Sequence, residues 1–263
     1  MLLPTTHLGS LKVTRLIIGN NPFSGGSHFS GALDKEMTDY YTVARIKQTL
    51  HEAEDAGLNT YLGRADNHIM RMLNEYWNEG GRLQWIAQTA PERKSVEANI
   101  DQAIAAGARA CFLHGGMVDT LFRAGDTANF GPWLHRIRDK GVVAGIASHN
   151  AQVLLKLDGM DLGAEFYMAC FYDIYGRGEV YLPEDRAAMC AAIRQIGKPC
   201  IGYKIMAATR NDPEEAFEYA FAHIKPIDPV CVGIFTKYQP TQVADDAALT
   251  LKYAQLVEAA APS

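Results

Sequence analysis

Ionisable side chains recur at the points where short apolar runs of this chain end. They include the imidazoles of His114 and His149, the amine of Lys204 and the phenol of Tyr172. Imidazole is the side chain whose ordinary pKa suits proton transfer near neutral pH. A lysine buried in an apolar strand can lose its charge and act as a base, or form a Schiff base with a carbonyl. These residue types indicate acid–base chemistry on a small substrate.

The apolar runs form an eight-fold pattern, and seven of their polar tails lead towards a helical stretch. The runs are Arg15–Gly19, Asn59–Gly63, Leu83–Gln88, Ala110–His114, Val142–Ser148, Glu165–Tyr172, Pro199–Lys204 and Val230–Phe235. Eight β–α units close into a barrel of parallel strands, with the chemistry at the C-terminal strand ends. The sequence therefore predicts an α/β fold, a single (β/α)8 TIM barrel over residues 1–263, in which distant tails meet at one mouth.

Apolar residues with helical spacing lie between the runs, and a glycine follows several of these segments. Helices are predicted at Thr42–Ala56, Ser95–Ala106, Trp133–Lys140, Glu184–Ile196, Pro213–His223 and Gln242–Ala259, and another is expected to begin near Ile69. We expect Leu2–Leu8 to form a short hairpin arm before the first barrel strand. Ser24–Tyr40 shows no clear period and is expected to be a long loop, such as a lid or part of a binding mouth.

The composition is that of a globular, enzyme-sized chain. Its 263 residues are 48% hydrophobic and carry a formal net charge of −5, which argues against a nucleic-acid or anionic-membrane partner. The five cysteines are odd in number and have no CxxC spacing, so neither disulfides nor a structural zinc site is expected. No apolar run reaches membrane-spanning length, and we expect a cytoplasmic protein. The sequence leaves open whether it forms a homo-oligomer.

Four segments spaced along the chain carry a family pattern. The opening segment His7–Gly19, with the sequence HLGSLKVTRLIIG, resembles the N-terminal signature of the aldo-keto reductase superfamily. In that superfamily a small hairpin leads into the first barrel strand. Ala56–Tyr61 is similar to the approach to its second strand, and Gly145–Asn150 and Phe171–Asp173 resemble its fifth and sixth strand tails. The resemblance spans nearly the whole chain and implies the same barrel.

The resemblance also implies a carbonyl reductase that uses a nicotinamide cofactor and a tetrad of Asp, Tyr, Lys and His. In this sequence Leu62 stands near the aspartate position and Gln88 stands at the lysine position, whereas His114 matches the histidine. Without the lysine, a tyrosine acid would lose its pKa tuning. Asp245 and Asp246 stand where the superfamily contacts the cofactor's adenosine phosphate, and two carboxylates would repel that phosphate. We therefore expect the barrel to be retained and the hydride chemistry to be lost.

The polar residues at the strand ends define the predicted site. Catalytic candidates are His114, Lys204, Asp66 and Tyr172, and substrate-binding candidates are Asn20, Asn21, Arg64, Gln88, Asn150 and Lys237. Imidazole ligands for a divalent metal such as zinc, manganese or iron would be His68, His114 and His149. Structural alternatives stay open at this stage. Asp66 or His68 could cap the helix near Ile69, Arg64 could bridge to Asp66, and Tyr172 could fill the mouth.

Three functions are compatible with these residues. The main prediction is a non-redox lyase, isomerase or epimerase that moves protons on a small polyhydroxylated or keto substrate, with or without a metal. The first alternative is a divergent NADPH-dependent reductase that uses shifted residues such as Tyr61 and Lys237, although NADPH is the less supported cofactor. The second is a non-catalytic barrel that binds a metabolite or a partner protein. A mouth filled by Phe23 and Trp85 would favour this last alternative.

Overall fold

A computed structural model describes residues 3–260 of the chain. It begins with an antiparallel hairpin of β1 (Thr5–Leu8) and β2 (Leu11–Thr14), which confirms the predicted arm, although Leu2 lies outside the described residues. Leu8, Leu11 and Val13 of the hairpin are buried against the interior side chains of the barrel that follows. The hairpin therefore supplies part of the barrel's apolar core.

Eight parallel strands close into the predicted barrel. They are β3 (Leu16–Gly19), β4 (Thr60–Arg64), β5 (Gln84–Gln88), β6 (Ala110–Leu113), β7 (Val143–Ser148), β8 (Phe166–Cys170), β9 (Cys200–Tyr203) and β10 (Val230–Gly233). Each strand pairs with the next one along the chain, and β10 pairs with β3 to complete the ring. All eight predicted runs contain a strand, and the observed strands are equal to or slightly shorter than the runs, apart from Arg64, which extends β4 by one residue.

Helices connect the strands and surround the barrel. They are α1 (Gly31–Tyr40), α2 (Val43–Asp55), α3 (Asn67–Asn78), α4 (Val96–Ala105), α5 (Gly115–Ala124), α6 (Phe130–Arg138), α7 (Ala151–Gly159), α8 (Pro183–Gln195), α9 (Pro213–His223) and α10 (Gln242–Ala260), with a short 3-10 helix at Asn21–Ser24. The seven predicted helices correspond to α2, α3, α4, α6, α8, α9 and α10. Side-chain caps at Thr42, Asp66, Ser95 and Asp212 accept hydrogen bonds from the first-turn backbone and start four of these helices.

The prediction of a long loop at Ser24–Tyr40 was wrong, because α1 occupies its second half. The hydroxyl of Ser30 accepts a hydrogen bond from the backbone N–H of Leu33 and caps this helix. Met37 is its one buried residue, so α1 lacks the apolar stripe from which a helix is predicted. Helix α5 was also missed, since it opens with two glycines, which disfavour helices.

Side chains along each strand alternate between two apolar layers. In β4, Leu62 packs inside the barrel with Ile17 and Ile86, whereas Tyr61 packs outside it in the same cluster as Ile46 of α2. This alternation decides which residues reach the mouth. Within a strand, every second residue points towards the barrel axis, and the residues in between are covered by helices.

The five cysteines are all free and buried, and Cys111, Cys200 and Cys231 lie in barrel strands as predicted. Burial raises the pKa of the Cys111 thiol to about 12, so this group behaves as a small apolar side chain. Among residues 3–260, no helix combines the length and the apolar character needed to cross a membrane.

Candidate active site

His149 directly follows β7 and is held by a carboxylate of α5. Its Nδ1 lies 2.8 Å from Oδ2 of Asp119, and the same carboxylate accepts hydrogen bonds from the His149 backbone N–H at 3.0 Å and the Ser148 hydroxyl at 2.6 Å. Asp119 is only 4% exposed. Because this carboxylate is the acceptor in all three contacts, Nδ1 of His149 carries the ring proton. The other nitrogen, Nε2, is then left as the basic atom.

His114 follows β6 and caps α5 with its ring. Its Nδ1 accepts a hydrogen bond from the backbone N–H of Met117 at 3.2 Å, so the neutral ring carries its proton on Nε2. Burial, together with the nearby charges of His149 and Arg64, lowers the pKa of His114 to about 4. At neutral pH this ring is therefore an uncharged N–H donor beside His149.

Gly115 and Gly116 make room for these two imidazole rings. A Cβ atom at Gly115 would lie 3.0 Å from Cε1 of His149, and one at Gly116 would lie 3.1 Å from Cε1 of His114. Both distances are shorter than ordinary van der Waals contact. In the structure the space beside these glycines is taken by the rings. The glycine pair thus allows the two histidines to sit close to the start of α5.

Lys204 follows β9, the seventh strand of the barrel, and its side chain is only 7% exposed. Burial lowers the pKa of this lysine, although Cys170 and Glu179 act in the opposite direction. Glu179 comes from the loop after β8 and also contacts Nδ1 of His28 at 2.7 Å. His28 belongs to the segment after β3. The segment after β3 and the loop after β8 therefore meet close to Lys204.

Asn20 directly follows β3, and its side chain makes hydrogen bonds to other residues of the protein. Its Oδ1 accepts a hydrogen bond from the Tyr61 hydroxyl, and its Nδ2 donates one to Ser24 Oγ at 2.7 Å. Asn20 is 5% exposed, and Tyr61 is fully buried in the layer between the barrel and the helices. Both polar groups of Asn20 are therefore already engaged, and Tyr61 does not face the barrel interior.

Arg64 and Asp66, after β4, also have partners within the protein. Arg64 forms an ion pair with Glu92, and its Nε lies 3.6 Å from Oδ2 of Asp66. Oδ1 of Asp66 accepts a hydrogen bond from the backbone N–H of Ile69 at 2.9 Å and caps α3. The structural alternatives for Arg64 and Asp66 are thus confirmed, and Asp66 rather than His68 is the cap.

Tyr172 and Asn150 have mainly structural contacts. The Tyr172 hydroxyl accepts a hydrogen bond from Nδ2 of Asn211 at 2.6 Å, and its buried ring belongs to the outer apolar layer. Asn150 caps α7 through Oδ1 and donates from Nδ2 to Asp173 at 2.7 Å. Neither side chain points into the barrel interior, and their predicted roles in binding or catalysis have no support from these contacts.

The other predicted substrate-binding residues are spread over the rim. Gln88 ends β5 on the same side as the interior residue Ile86 and is partly buried, so it reaches the mouth. Asn21 begins the 3-10 helix and is exposed. Lys237 is exposed after β10 and forms an ion pair with Glu36 of α1. Of these three, only Gln88 lies on the interior side of a barrel strand.

The three histidines of the predicted metal site are not gathered in one cluster. His114 and His149 lie side by side, whereas His68 is exposed in the first turn of α3. Within residues 3–260, no group of three or more His, Cys, Asp or Glu side chains has an arrangement that would hold a metal ion. The residues present therefore do not fit the predicted metal.

Three residues of this site were missed by the sequence predictions: Asp119, Glu179 and His28. Asp119 is the one acidic residue in α5, which would have been its signal had that helix been predicted. Glu179 and His28 lie in loops, where neither periodicity nor spacing indicates which side chains turn towards the mouth. Only the folded chain brings them together.

An open cavity of about 300 Å³ lies beside the His149–Asp119 pair. It is lined by Asp119, Phe122, Arg123, Asn150, Gln152, Val153, Lys156, Asp173 and Tyr175. The Tyr175 ring stacks on His149 with centroids 6.3 Å apart. The volume is at the lower end of the range for small-molecule sites. The cavity also offers charged groups of both signs.

Solved structures with the same barrel come from several enzyme classes. A candidate aldo-keto reductase from Pseudomonas aeruginosa is 16% identical, with a TM-score of 0.64, and the match covers 95% of this chain and 94% of that one. A truncated 3-deoxy-D-arabino-heptulosonate 7-phosphate synthase from Thermotoga maritima is 11% identical, with a TM-score of 0.60 and coverages of 98% and 93%. An N-acetylmannosamine-6-phosphate 2-epimerase from Clostridium perfringens is 11% identical, with a TM-score of 0.55 and coverages of 88% and 92%.

These likenesses define a (β/α)8-barrel protein and show the fold alone, because every identity is below 20%. No protein-family model matches the chain, and no curated protein matches it in sequence. The relationship to the aldo-keto reductases is therefore a distant one, at the level of the barrel.

Proposed function

We propose that this chain is a non-redox enzyme that moves a proton on a small keto or polyhydroxylated substrate, as a lyase, isomerase or epimerase. The observation that carries the proposal is the His149–Asp119 pair, at the end of a strand where barrel enzymes keep their chemistry. A carboxylate bonded to one imidazole nitrogen orients the ring and stabilises the cation formed when the other nitrogen takes a proton. His149 is thus equipped to act as a general base through Nε2.

His114 is suited to a different role from that of His149. The lowered pKa of His114 keeps its ring uncharged at neutral pH. Its Nδ1 accepts a hydrogen bond from the Met117 backbone, so the ring proton is on Nε2. A neutral N–H donor can stabilise the negative charge that develops on a carbonyl oxygen when a neighbouring proton is removed. One histidine would then remove the proton while the other holds the oxygen. The residues alone allowed one histidine or Lys204 as the base, with Asn20, Arg64, Gln88 or a metal at the oxygen; the proposal assigns the base to His149 and the oxygen to His114.

No step of this proposal requires a metal ion. Nδ1 of His149 contacts Asp119, and Nδ1 of His114 accepts a hydrogen bond from the backbone of α5. Metal assistance stays a prediction without support from the donor arrangement. Elemental analysis of the purified protein tests it, since stoichiometric zinc, manganese or iron would require ligands beyond the pair described here.

The two residues predicted for the reductase alternative are engaged within the protein. Tyr61, its candidate acid, lies outside the barrel interior with its hydroxyl bonded to Asn20, and burial raises its pKa well above the ordinary value. Lys237, its candidate phosphate contact, is paired with Glu36. The non-catalytic alternative loses one of its supports as well, because Phe23 and Trp85 pack in the outer apolar layer and do not fill the mouth.

Hydrogen exchange with solvent tests the proposed function without knowledge of the physiological substrate. The protein would be incubated in D₂O with dihydroxyacetone, dihydroxyacetone phosphate, fructose and pyruvate, and the proton signals beside each carbonyl would be followed by NMR. We expect one of these compounds to exchange, and His149→Asn to slow that exchange by roughly 10²–10⁴-fold, the usual contribution of a general base.

His51→Asn is the matched control, because His51 lies on α2 with a side chain that is 42% exposed. This variant should exchange at the wild-type rate. Exchange that is equally fast in His149→Asn would exclude His149 as the base. Saturable NADPH binding with hydride transfer to the carbonyl compound would instead favour the reductase alternative.

A further inference from the structure

The amine of Lys204 is buried without a hydrogen-bond partner. Among the side chains that the structure describes, its Nζ is the one buried polar atom with none. The backbone of Lys204 has a φ of +59°, a left-handed conformation that is costly for a residue with a side chain. The chain therefore holds this lysine in an unfavourable backbone conformation, with its amine buried and without a hydrogen bond.

Glu179 is the nearest carboxylate to Lys204, but its oxygens are bonded elsewhere. Oε1 contacts Nδ1 of His28 at 2.7 Å, and Oε2 accepts a hydrogen bond from the Tyr181 hydroxyl. Oε2 lies 4.0 Å from Nζ of Lys204, which is beyond hydrogen-bond distance. A charged ammonium in this position would be poorly compensated. Burial lowers the pKa of Lys204, so its neutral amine, with a free lone pair, forms more readily than that of an exposed lysine.

His28 links the lysine to the His149–Asp119 pair. Burial lowers the pKa of His28, and the charges of Lys204 and, more weakly, His149 lower it further. The His28 ring therefore lies within electrostatic range of both Lys204 and His149. Its contact with Glu179 lies beside the lysine, because Oε2 of Glu179 is 4.0 Å from Nζ.

We propose that Lys204 is a nucleophile that forms a Schiff base with an aldehyde or ketone substrate. The proposal rests on the proposed function in one respect, since it assumes a carbonyl compound at the same mouth. The amine of Lys204 adds to the carbonyl carbon, its nitrogen loses a proton, and the carbonyl oxygen gains one. The resulting hydroxyl then leaves as water with a second proton, and a C=N bond forms.

Side chains near Lys204 can meet the proton balance of this step. The nitrogen releases one proton and the departing water takes up two, so a nearby acid supplies the second proton and recovers it from solvent. The product is then an iminium ion that keeps one proton on its nitrogen. His28, whose Nδ1 contacts Glu179, lies where it can relay that proton. Protonation of the imine nitrogen makes it an electron sink, which lowers the pKa of the adjacent C–H group. His149 is the base to receive that proton.

Reductive trapping tests this proposal directly. The full-length protein would be incubated with glycolaldehyde or dihydroxyacetone and sodium cyanoborohydride, and the modified peptides would be identified by mass spectrometry. We expect one adduct per chain, on Lys204, formed at least tenfold faster than adducts on exposed lysines. Lys204→Met should lose this adduct. Methionine has a similar volume and no charge, so the variant should keep its fold.

Lys35→Met is the matched control, since Lys35 lies on α1 with a side chain that is 75% exposed. This variant should keep the Lys204 adduct. Adducts spread evenly over surface lysines, or an unchanged fast adduct in Lys204→Met, would overturn the proposal.

The same experiment separates the Schiff base from the proton transfer. His149→Asn should keep trapping at Lys204 and lose hydrogen exchange. Exchange in the wild-type protein without trapping of the same compound would overturn the Schiff base alone. Trapping without exchange of any compound would retain the Schiff base and overturn the proton-transfer function.

Discussion

The two halves of the barrel mouth differ in how their polar side chains are satisfied. In the first half, formed by the ends of β10, β3, β4 and β5, Asn20 and Arg64 are engaged with Tyr61 and Glu92. In the second half, formed by the ends of β6, β7, β8 and β9, Nδ1 of His149 contacts Asp119, and Nζ of Lys204 has no hydrogen-bond partner among the described residues. The polar groups named in the first half are therefore paired within the protein, whereas the second half contains the residues on which the proposed chemistry depends.

The contrast between the two halves indicates where chemistry is expected in this barrel. The tetrad of the aldo-keto reductases would lie mainly in the first half, at Leu62 and Gln88, where this chain lacks the required side chains. The perturbed pKa values of His114 and Lys204 lie in the second half. Buried groups with perturbed pKa values cluster at functional sites. The expected effects of the following substitutions differ accordingly between the halves.

The largest expected effect comes from separating His149 from its carboxylate. Asp119→Asn keeps the size of the side chain but can no longer compensate a positive charge on the ring. We expect hydrogen exchange of the responsive carbonyl compound to fall by about 100-fold at pH 7. Asp101→Asn is the control, because Asp101 lies on α4, where it pairs with Arg136, and does not line the cavity. Equal losses in the two variants would contradict a special role for Asp119.

His114 should make the stability of the protein depend on pH. Its pKa is about 4 in the folded chain and 6.5 in the unfolded chain, so the unfolded chain binds more protons between these values. The contribution of the neutral His114 ring to the unfolding free energy is complete above about pH 6.5 and decreases as the pH falls towards 4. We expect this group to remove on the order of 2 kcal/mol of unfolding free energy over that range.

Urea unfolding at pH 7 and pH 4.5 measures this effect, with His114→Asn as the comparison. Asparagine does not titrate and is itself a favourable N-cap, so α5 keeps its start. The variant should lose less stability on acidification than the wild-type protein. An identical loss in both proteins would mean that other groups cause the pH dependence.

A methyl group at Gly115 should disturb the second half without removing any functional group. In Gly115→Ala the new Cβ would lie 3.0 Å from the His149 ring and 3.3 Å from Cβ of Ala147, so the ring must shift. We expect about a fivefold decrease in exchange, which corresponds to roughly 1 kcal/mol. Gly131→Ala in α6 is the control, because its nearest neighbour, Leu162 Cδ2, would be 3.9 Å away. Similar activity in both variants would show that the ring tolerates the added carbon.

The fold was more predictable from the sequence than the site. The β strands were recognised because each is a short apolar run, and Pro213–His223 was predicted with its observed bounds because Asp212 and Pro213 mark its start. Helix α5 was missed because Gly115 and Gly116 disfavour helices, and its Asp119 was missed with it.

Chain position alone was enough to select the candidate residues that directly follow a strand. His114, His149 and Lys204 were found because they follow strands directly. Glu179 and His28 were not, since their contact joins residues 151 positions apart through two loops. Asp66 and Tyr172 also have structural contacts, and a sequence does not show that a side chain caps a helix or packs in an apolar cluster.

Of these substitutions, Tyr61→Phe in the first half is expected to have the smallest effect on the rate of hydrogen exchange. This change removes the hydrogen bond to Asn20 and should lower the unfolding free energy by about 1 kcal/mol, because Asn20 Oδ1 loses a buried partner. Hydrogen exchange of the carbonyl compound should be unchanged, since Tyr61 lies outside the barrel interior. Urea unfolding and the NMR exchange assay measure the two quantities on one preparation. A loss of activity without a loss of stability would place the acid in the first half and restore the reductase alternative, because only a tyrosine that meets the substrate would act in that way.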